Sequence, residues 1–297
     1  MSDHDILAEA REAFELAAEA EADNRREALE DLRFARLGEQ WPAAVQRVRG
    51  KTDRPMLTIN RLPAFIRQVV NDARQNKPSI KVRPADSGAD PATAAIYDGL
   101  IRNIEQVSNA DIAYDTAAEF AVTCGFGYFR IAIDYAHDDS FDKELLIQRL
   151  ANPFAVYGDP YSSAADSSDW RSAFVTELLP RDQFRARYKG AQAVDWDDQG
   201  YTQLQPPWRE DDQVLVAEQW KREEVERPIL QLSNGEAVDR AAYENGKALF
   251  DALGLSVQAE RRSRSYKVTQ LILTGAEVLE RNDWAGRFIP VIPVYGD

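Results

Sequence analysis

Carboxylates and an imidazole lie close together in the segment DYAHDD, which spans residues 134–139. Asp134, Asp138 and Asp139, together with His137, offer the oxygen and nitrogen ligands that divalent cations take in proteins. Such a site could serve a metal-dependent enzyme that acts on nucleic acid. The same composition is also typical of a solvated hairpin tip. We interpret the segment as a hairpin tip and keep the metal-dependent enzyme as an alternative.

Other catalytic patterns are missing from the sequence. Gly125-Phe126-Gly127 has GxG spacing, but it follows a predicted helix and precedes a predicted strand, and a phosphate-binding loop needs the opposite order. No GxxxxGK[ST] motif occurs, which excludes a P-loop ATPase. Cys124, the single cysteine, falls on the apolar face of a predicted helix with no histidine at helical spacing. We therefore predict a binding or structural protein, with no enzymatic activity and no cofactor.

Length and composition set the broad class of the protein. A chain of 297 residues can bury a full hydrophobic core in one large domain or two. No run of residues approaches the ~18 apolar positions that a membrane helix needs, so no membrane partner is expected. The N-terminus is acidic, unlike a secretion signal, and one cysteine permits no internal disulfide. These features indicate a protein made and kept in a cytoplasm.

Charge is distributed unevenly along the chain, whose net charge is −14. Residues 1–31 contain eleven acids and three bases, whereas residues 32–84 contain twelve bases and three acids. The two segments could neutralise each other or acidic neighbours. Alternatively, residues 32–84 could form a basic belt that faces a partner or nucleic acid. A basic nucleic-acid-binding module is thus a further alternative function.

The N-terminal part of the chain reads as helical. An acidic helix is predicted over residues 3–37, with a break or exposed span in its polar middle, EAEADNRRE. The stretch from Arg54 to Lys81 is predicted as a basic amphipathic helix that Asn60 caps and Pro78 ends. Its apolar stripe should pack into the body, and its opposite face carries cations. The stripe is Leu62, Phe65, Ile66, Val69, Val70 and Ala73, and the cations are Arg67, Arg74 and Lys77.

The rest of the chain alternates short elements. A strand at Ile80–Val82 should precede helices that begin near Asp90 and Asp111. An antiparallel meander is predicted over residues 128–179, followed by a short helix at 180–188 and a long polar loop at 195–212. Later segments indicate strands at 213–226 and 227–232, followed by a hairpin turn at Ser233-Asn234-Gly235 and a helix at 239–255. A hairpin that turns near Thr274-Gly275 is predicted over 265–281, with an extended edge segment at the end. The fold class is α+β, with N-terminal helices followed by a strand-rich antiparallel half.

Four segments carry a resemblance to a known family. They are RPMLTINRLPAFIRQVVNDARQNKPSIKV (54–82), GFGYFRI (125–131), NPFAVYGDP (152–160) and RFIPVIPVYG (287–296). In this order they resemble the portal proteins, or head-to-tail connectors, of short-tailed, podovirus-type bacteriophages. The resemblance implies a structural role and a portal wing-like fold for this chain. It implies self-association in a ring of about a dozen subunits at one capsid vertex.

The same resemblance implies partners and a location. Double-stranded DNA would pass through the ring during packaging and ejection, driven by a terminase that docks on it. Scaffolding and capsid proteins and tail adaptor proteins would be further partners, in the virion and, during assembly, in the host cytoplasm. Chains of the family continue past the PVYG segment, whereas this sequence ends at Asp297. We therefore expect an acidic helix with a basic connector at 1–53 and a portal wing-like α+β domain at 54–297, without stem, clip and crown.

Contact residues are predicted from the basic helix and its neighbours. With the chain acidic as a whole, its outward cations are better placed for contacts within or between subunits than for gripping DNA. Tryptophan and arginine are also enriched at subunit interfaces. The candidate subunit or partner contacts are Arg67, Arg74, Lys77, Lys81, Arg83 and Trp208.

Overall fold

A computed structural model of the chain describes residues 2–77, 79–85, 88–197 and 212–296. Its first element is helix α1, Asp3–Leu32, which continues into a π-helical turn, Arg33–Leu37. Ser2 and Asp5 form a capping box at the start of α1, and Gly38 ends the turn in the left-handed conformation. Of the two alternatives predicted for the polar middle, the break is absent, whereas the span is mostly exposed, with Arg25 as its buried residue. Arg25 is buried there and binds backbone carbonyls of another segment, so tertiary contacts keep the helix continuous.

Four further helices follow before the first strand: α2 (Ala43–Lys51), α3 (Leu62–Gln75), α4 (Pro91–Val107) and α5 (Ala110–Cys124). The helix predicted between Arg54 and Lys81 is therefore shorter at both ends. The prediction that Asn60 is the N-cap was wrong, because Arg61 occupies that position without a side-chain cap; Asn60 lies one residue before it, and its carboxamide oxygen accepts a hydrogen bond from the Leu62 amide at 3.2 Å. Pro78 lies outside the described residues.

The strand predicted at residues 80–82 was wrong. These residues form no strand, and the Val82 amide donates to Asp98 of α4 at 3.2 Å. A side chain thus takes the place of a partner strand for this amide. By contrast, α4 and α5 begin close to the predicted residues, and Asp90 caps α4 through the amides of Ala92 and Thr93. The side-chain cap that the sequence predicted at Asp90 is confirmed.

Two antiparallel sheets make up the second half of the chain. The first has the strand order β2-β1-β9, with β1 at Phe126–Tyr135, β2 at Lys143–Arg149 and β9 at Val291–Tyr295. The predicted edge position of the final segment is confirmed, since β9 pairs with β1 alone and contains Pro293. The single meander predicted over residues 128–179 was wrong, because β3 and β4 belong to the second sheet.

The second sheet has the order β3-β4-β5-β7-β8, and β6 also pairs with β5. Its strands are β3 (Val156–Tyr157), β4 (Ser172–Pro180), β5 (Gln213–Leu232), β6 (Ala237–Asp239), β7 (Val257–Leu273) and β8 (Val278–Trp284). The two strands predicted within 213–232 are one long strand. Helix α6, Arg181–Arg187, follows β4 as predicted. The helix predicted at 239–255 is split by Gly246 into α7 (Arg240–Asn245) and α8 (Lys247–Ala252).

Aromatic side chains join the helical and strand-rich halves. Phe14 of α1 makes edge contacts with Tyr157, Phe174 and Trp196, at ring-centroid distances of 4.8, 5.3 and 5.8 Å. A second cluster, which includes Tyr128, lies between the two sheets. Because edge-to-face aromatic pairs stabilise cores beyond their buried area, α1 is an integral part of the fold. In the described part of the chain, no helix is long and apolar enough to cross a membrane.

The carboxylate of Asp169 holds the loop before β4 in place through several hydrogen bonds. Asp169 accepts hydrogen bonds from the Ser162 hydroxyl and from the amides of Ser163 and Ala164, all between 2.7 and 3.0 Å. These bonds, with the Ser162 hydroxyl first among them, hold the pKa of Asp169 well below its ordinary value.

Asp169→Asn is expected to destabilise the protein at neutral pH and to matter less in acid. The folded pKa lies below that of the unfolded chain, so the stabilisation is present at neutral pH. It is lost as the pH falls from about 4 towards the folded pKa. Urea unfolding of both proteins at pH 7 and pH 3 measures this convergence. If the difference in the free energy of unfolding between the two proteins were the same at pH 7 and pH 3, this prediction would be contradicted.

Candidate interaction surface

Helix α3 lies on α5, and two of its predicted contact residues form this junction. Arg74 pairs with Asp115 at 2.9 Å, and Lys77 pairs with Asp111 at 2.6 Å. Both acids belong to α5, so these cations are neutralised within the chain. Of the two alternatives for the basic segment 32–84, these ion pairs support neutralisation by acidic neighbours. They also orient α3 against α5.

The other predicted cations point to solvent. Arg67 donates from Nε to the Pro63 carbonyl at 2.9 Å, a bond within its own helix. Arg67, Lys81 and Arg83 are exposed, and no carboxylate of the described residues forms an ion pair with them. Trp208 lies outside the described residues. The structure therefore separates the predicted contact set into cations that join helices and cations that remain available to a partner.

Arg74→Ala is expected to lower the free energy of unfolding by less than about 1 kcal/mol, because its ion pair is partly exposed. A double-mutant cycle with Asp115→Ala measures the coupling between the two side chains, expected at about 0.2–1 kcal/mol and weaker in high salt. The matched control is Arg67→Ala, which breaks no ion pair. A coupling that is large and insensitive to salt would contradict this assignment.

The apolar stripe of α3 is mostly uncovered. Val70 is its buried member, whereas Phe65 is 62% exposed and Val69 is half exposed. The prediction that the whole stripe packs into the body was therefore wrong. Helix α3 meets α5 along the side that carries Val70 and the two ion pairs, and the stripe is wider than this contact. The pattern predicts a face that must be covered, but it does not identify what covers it.

Helix α4 shows the same property. Ala94 is its buried residue, and Ile96 is 70% exposed. Tyr97 and Leu100 are also exposed. Exposed apolar residues mark an interaction site in a soluble protein when they form a contiguous patch. The exposed apolar residues are Phe65 and Val69 on α3, and Ile96, Tyr97 and Leu100 on α4.

A second exposed feature is the segment 42–61, which we call the basic arm. It contains α2, none of whose side chains is buried, and the extended residues that lead to α3. Its base is closed by hydrogen bonds from Trp41 to Thr58 at 3.1 Å and from Asn60 to the Ala35 carbonyl at 2.6 Å. The arm therefore leaves the body and returns to it at one place, next to the end of α1.

Residues 134–139 form the tip of the β1–β2 hairpin, as interpreted from the sequence. Ala136 donates to the Asp142 carbonyl at 2.9 Å, and Ser140 donates to the His137 carbonyl at 3.0 Å. Among the residues that the structure describes, no group of three or more histidine, cysteine or acidic side chains is arranged to hold a metal ion. Asp134, His137, Asp138 and Asp139 are therefore not brought together as a ligand set.

The glycines of the GxG segment have structural roles, as predicted. Gly125 ends α5 at φ 90°, and its amide donates to the Ala121 carbonyl. Gly127 begins the buried part of β1. The Cys124 thiol is buried beside them and lies 3.3 Å from the Phe120 carbonyl. Burial raises the pKa of this thiol, which keeps it protonated at neutral pH and unsuited to nucleophilic attack.

Comparison with known proteins identifies a matching family and a curated relative. A family model described as phage P22-like portal protein matches residues 11–297. A portal protein of Acyrthosiphon pisum secondary endosymbiont phage 1 is 26% identical over 295 residues, which cover 92% of this chain and 40% of the relative. The chain thus spans less than half the length of that curated relative.

Proposed function

Because the chain belongs to the phage P22-like portal protein family, we propose that it forms part of a portal, the structural ring at a capsid vertex. The carrying observation is the family match over residues 11–297, which includes every strand that the structure describes and most of α1. It confirms the resemblance that four sequence segments indicated. In this role the chain associates with copies of itself, and double-stranded DNA passes through the ring during packaging and ejection.

A structural role also suits the side chains. The family is structural, and we propose that this chain has no enzymatic activity of its own. The one cysteine is buried and protonated, and the acidic hairpin tip is held by backbone hydrogen bonds. The two alternatives, a metal-dependent nucleic-acid enzyme and a basic nucleic-acid-binding module, gain no support from the family match.

The proposed partners follow from the portal role. They are the terminase, scaffolding and capsid proteins, and tail adaptor proteins, and the location is the virion, after assembly in the host cytoplasm. Within the chain, we propose that residues 1–53 supply an acidic helix and a basic connector, and that residues 54–297 form the wing. Arg67, Lys81 and Arg83 are the proposed contact cations, because they are exposed and have no ion pair among the described residues. Trp208 stays a prediction.

Electron microscopy of the full gene product tests the proposal. Closed rings with a central channel are the expected particles. Calorimetric titration with magnesium, manganese and zinc provides a parallel test of the metal-dependent alternative, and no binding is expected at millimolar concentrations. Monomers without rings in every buffer would contradict the portal role, and stoichiometric metal binding would favour the enzyme.

A further inference from the structure

The outer face of α1 carries a line of carboxylates, which the exposed Asp23–Arg26 ion pair interrupts at its middle. At 3.6 residues per turn these residues fall on the side of the helix opposite the buried residues Phe14 and Arg25. No ion pair joins them to other residues in the described part of the chain. The line extends about 27 Å along the helix. We call it the acidic stripe, and it consists of Glu12, Glu15, Glu19, Glu27 and Glu30.

The basic arm has the complementary charge. Its residues include five bases and one acid, Asp53. Arg49 stacks on Trp41 at 4.9 Å and donates to the Pro55 carbonyl, so it stiffens the arm. The remaining bases have no ion pair with any described residue, and they are Arg47, Lys51, Arg54 and Arg61.

Apolar side chains lie between these bases. Leu57 is 75% exposed, and Val48 and Ile59 are also mostly exposed. Exposed leucine and isoleucine side chains gain free energy when a protein surface covers them, whereas a phosphate backbone offers them little. A matching apolar residue, Leu16, lies on the same side of α1 as the acidic stripe and is 43% exposed.

We infer that the basic arm of one copy docks on the acidic stripe of α1 in a neighbouring copy. The inference rests on the proposed portal function: a contact between two different surfaces of the same chain is head-to-tail, and a portal ring requires a head-to-tail contact whose rotation closes. Charge complementarity selects the second copy as the occupant, and the interleaved apolar residues favour a protein over nucleic acid. The acidic stripe would also repel a polyanion at the same interface.

Paired charge reversals of the 297-residue chain test the contact. The arm variant is Arg47→Glu with Arg54→Glu, and the helix variant is Glu15→Lys with Glu19→Lys. Sedimentation velocity at low salt measures self-association. Each variant alone is expected to associate at least about tenfold more weakly than the wild type, because like charges face each other. An equimolar mixture of the two is expected to recover near wild-type association, since both kinds of contact again join opposite charges.

The control variant is Arg261→Glu with Arg262→Glu, which changes the net charge as the arm variant does but on exposed positions of β7. It is expected to associate like the wild type. The inference fails if the wild type does not associate, if single variants associate normally, or if the mixture shows no recovery. It also fails if the arm variant loses only affinity for a double-stranded DNA oligomer, measured by fluorescence anisotropy, because the arm would then be a nucleic-acid surface.

The inference and the portal function can fail separately. Rings of the full gene product that persist in both single variants would leave the portal role intact and place the subunit contact elsewhere. Recovery of association in the mixture, without rings from the full gene product, would retain the contact between arm and α1 and remove the portal role.

Discussion

Arg25→Ala is expected to lower the free energy of unfolding by about 3–5 kcal/mol, because it leaves buried partners unpaired. Arg25 is 2% exposed and donates to Glu21 at 2.8 Å, to the Val156 carbonyl at 2.7 Å and to the Phe154 carbonyl. Its guanidinium also stacks 3.9 Å from the ring centre of Tyr157. The substitution therefore removes the link that holds α1 to β3 and the turn before it.

The neighbouring arginine provides a matched control. Arg26 pairs with Asp23 at 2.7 Å, and both side chains are mostly exposed, so Arg26→Ala is expected to change stability by less than about 0.5 kcal/mol. Arg25→Met retains most of the volume and separates packing from hydrogen bonding. Urea unfolding followed by circular dichroism measures all three variants. Equal effects of the alanine substitutions at positions 25 and 26 would contradict the assigned role of Arg25.

Gly127→Ala is expected to destabilise the fold by about 3 kcal/mol or more, because main-chain atoms leave no room for a side chain. A methyl group at position 127 would lie 2.1 Å from the Ala117 carbonyl oxygen of α5. Neither the helix nor the strand can move apart easily, since α5 packs along β1 and Ala117 is fully buried. The close approach explains why glycine is required where β1 passes α5.

Gly99 is a position where the same substitution, glycine to alanine, is expected to stabilise the protein. It lies inside α4, and an added methyl group there meets no atom within 4 Å. Gly99→Ala is expected to stabilise the protein by about 0.5–1 kcal/mol, since alanine has the higher helix propensity. Thermal and urea unfolding of both variants measure the contrast. The interpretation fails if Gly127→Ala is tolerated as well as Gly99→Ala.

Local signals in the sequence predicted much of the fold. Asp90 at the start of α4, Gly125 at the end of α5 and the turn at Gly235 act through neighbouring residues, so they can be read without knowledge of the fold. The predicted α+β class is confirmed, since N-terminal helices precede two antiparallel sheets. Continuity of α1 depends on carbonyls more than one hundred residues away from Arg25, and no local pattern shows them.

For the candidate interaction surface, the sequence identified the residues but not what they contact. Periodicity identified the apolar stripe of α3 correctly but assigned the whole stripe to the interior, because amphipathicity does not distinguish the chain's own core from a partner. Likewise, the sequence grouped Arg67, Arg74 and Lys77 on one face, and only the position of α5 separates the paired cations from the exposed one. The structure shows which residues contact α3, and these contacts depend on packing between segments that are distant in the sequence.

The pairing of β9 with β1 has a consequence for synthesis on the ribosome. Strand β1 leaves the ribosome early and pairs with β2 within a hairpin, yet its other edge is closed by β9, which follows the whole second sheet. Until then, β1 presents unpaired backbone groups, the condition under which nascent chains associate wrongly. Closure of the first sheet therefore waits for the synthesis of residues 291–295.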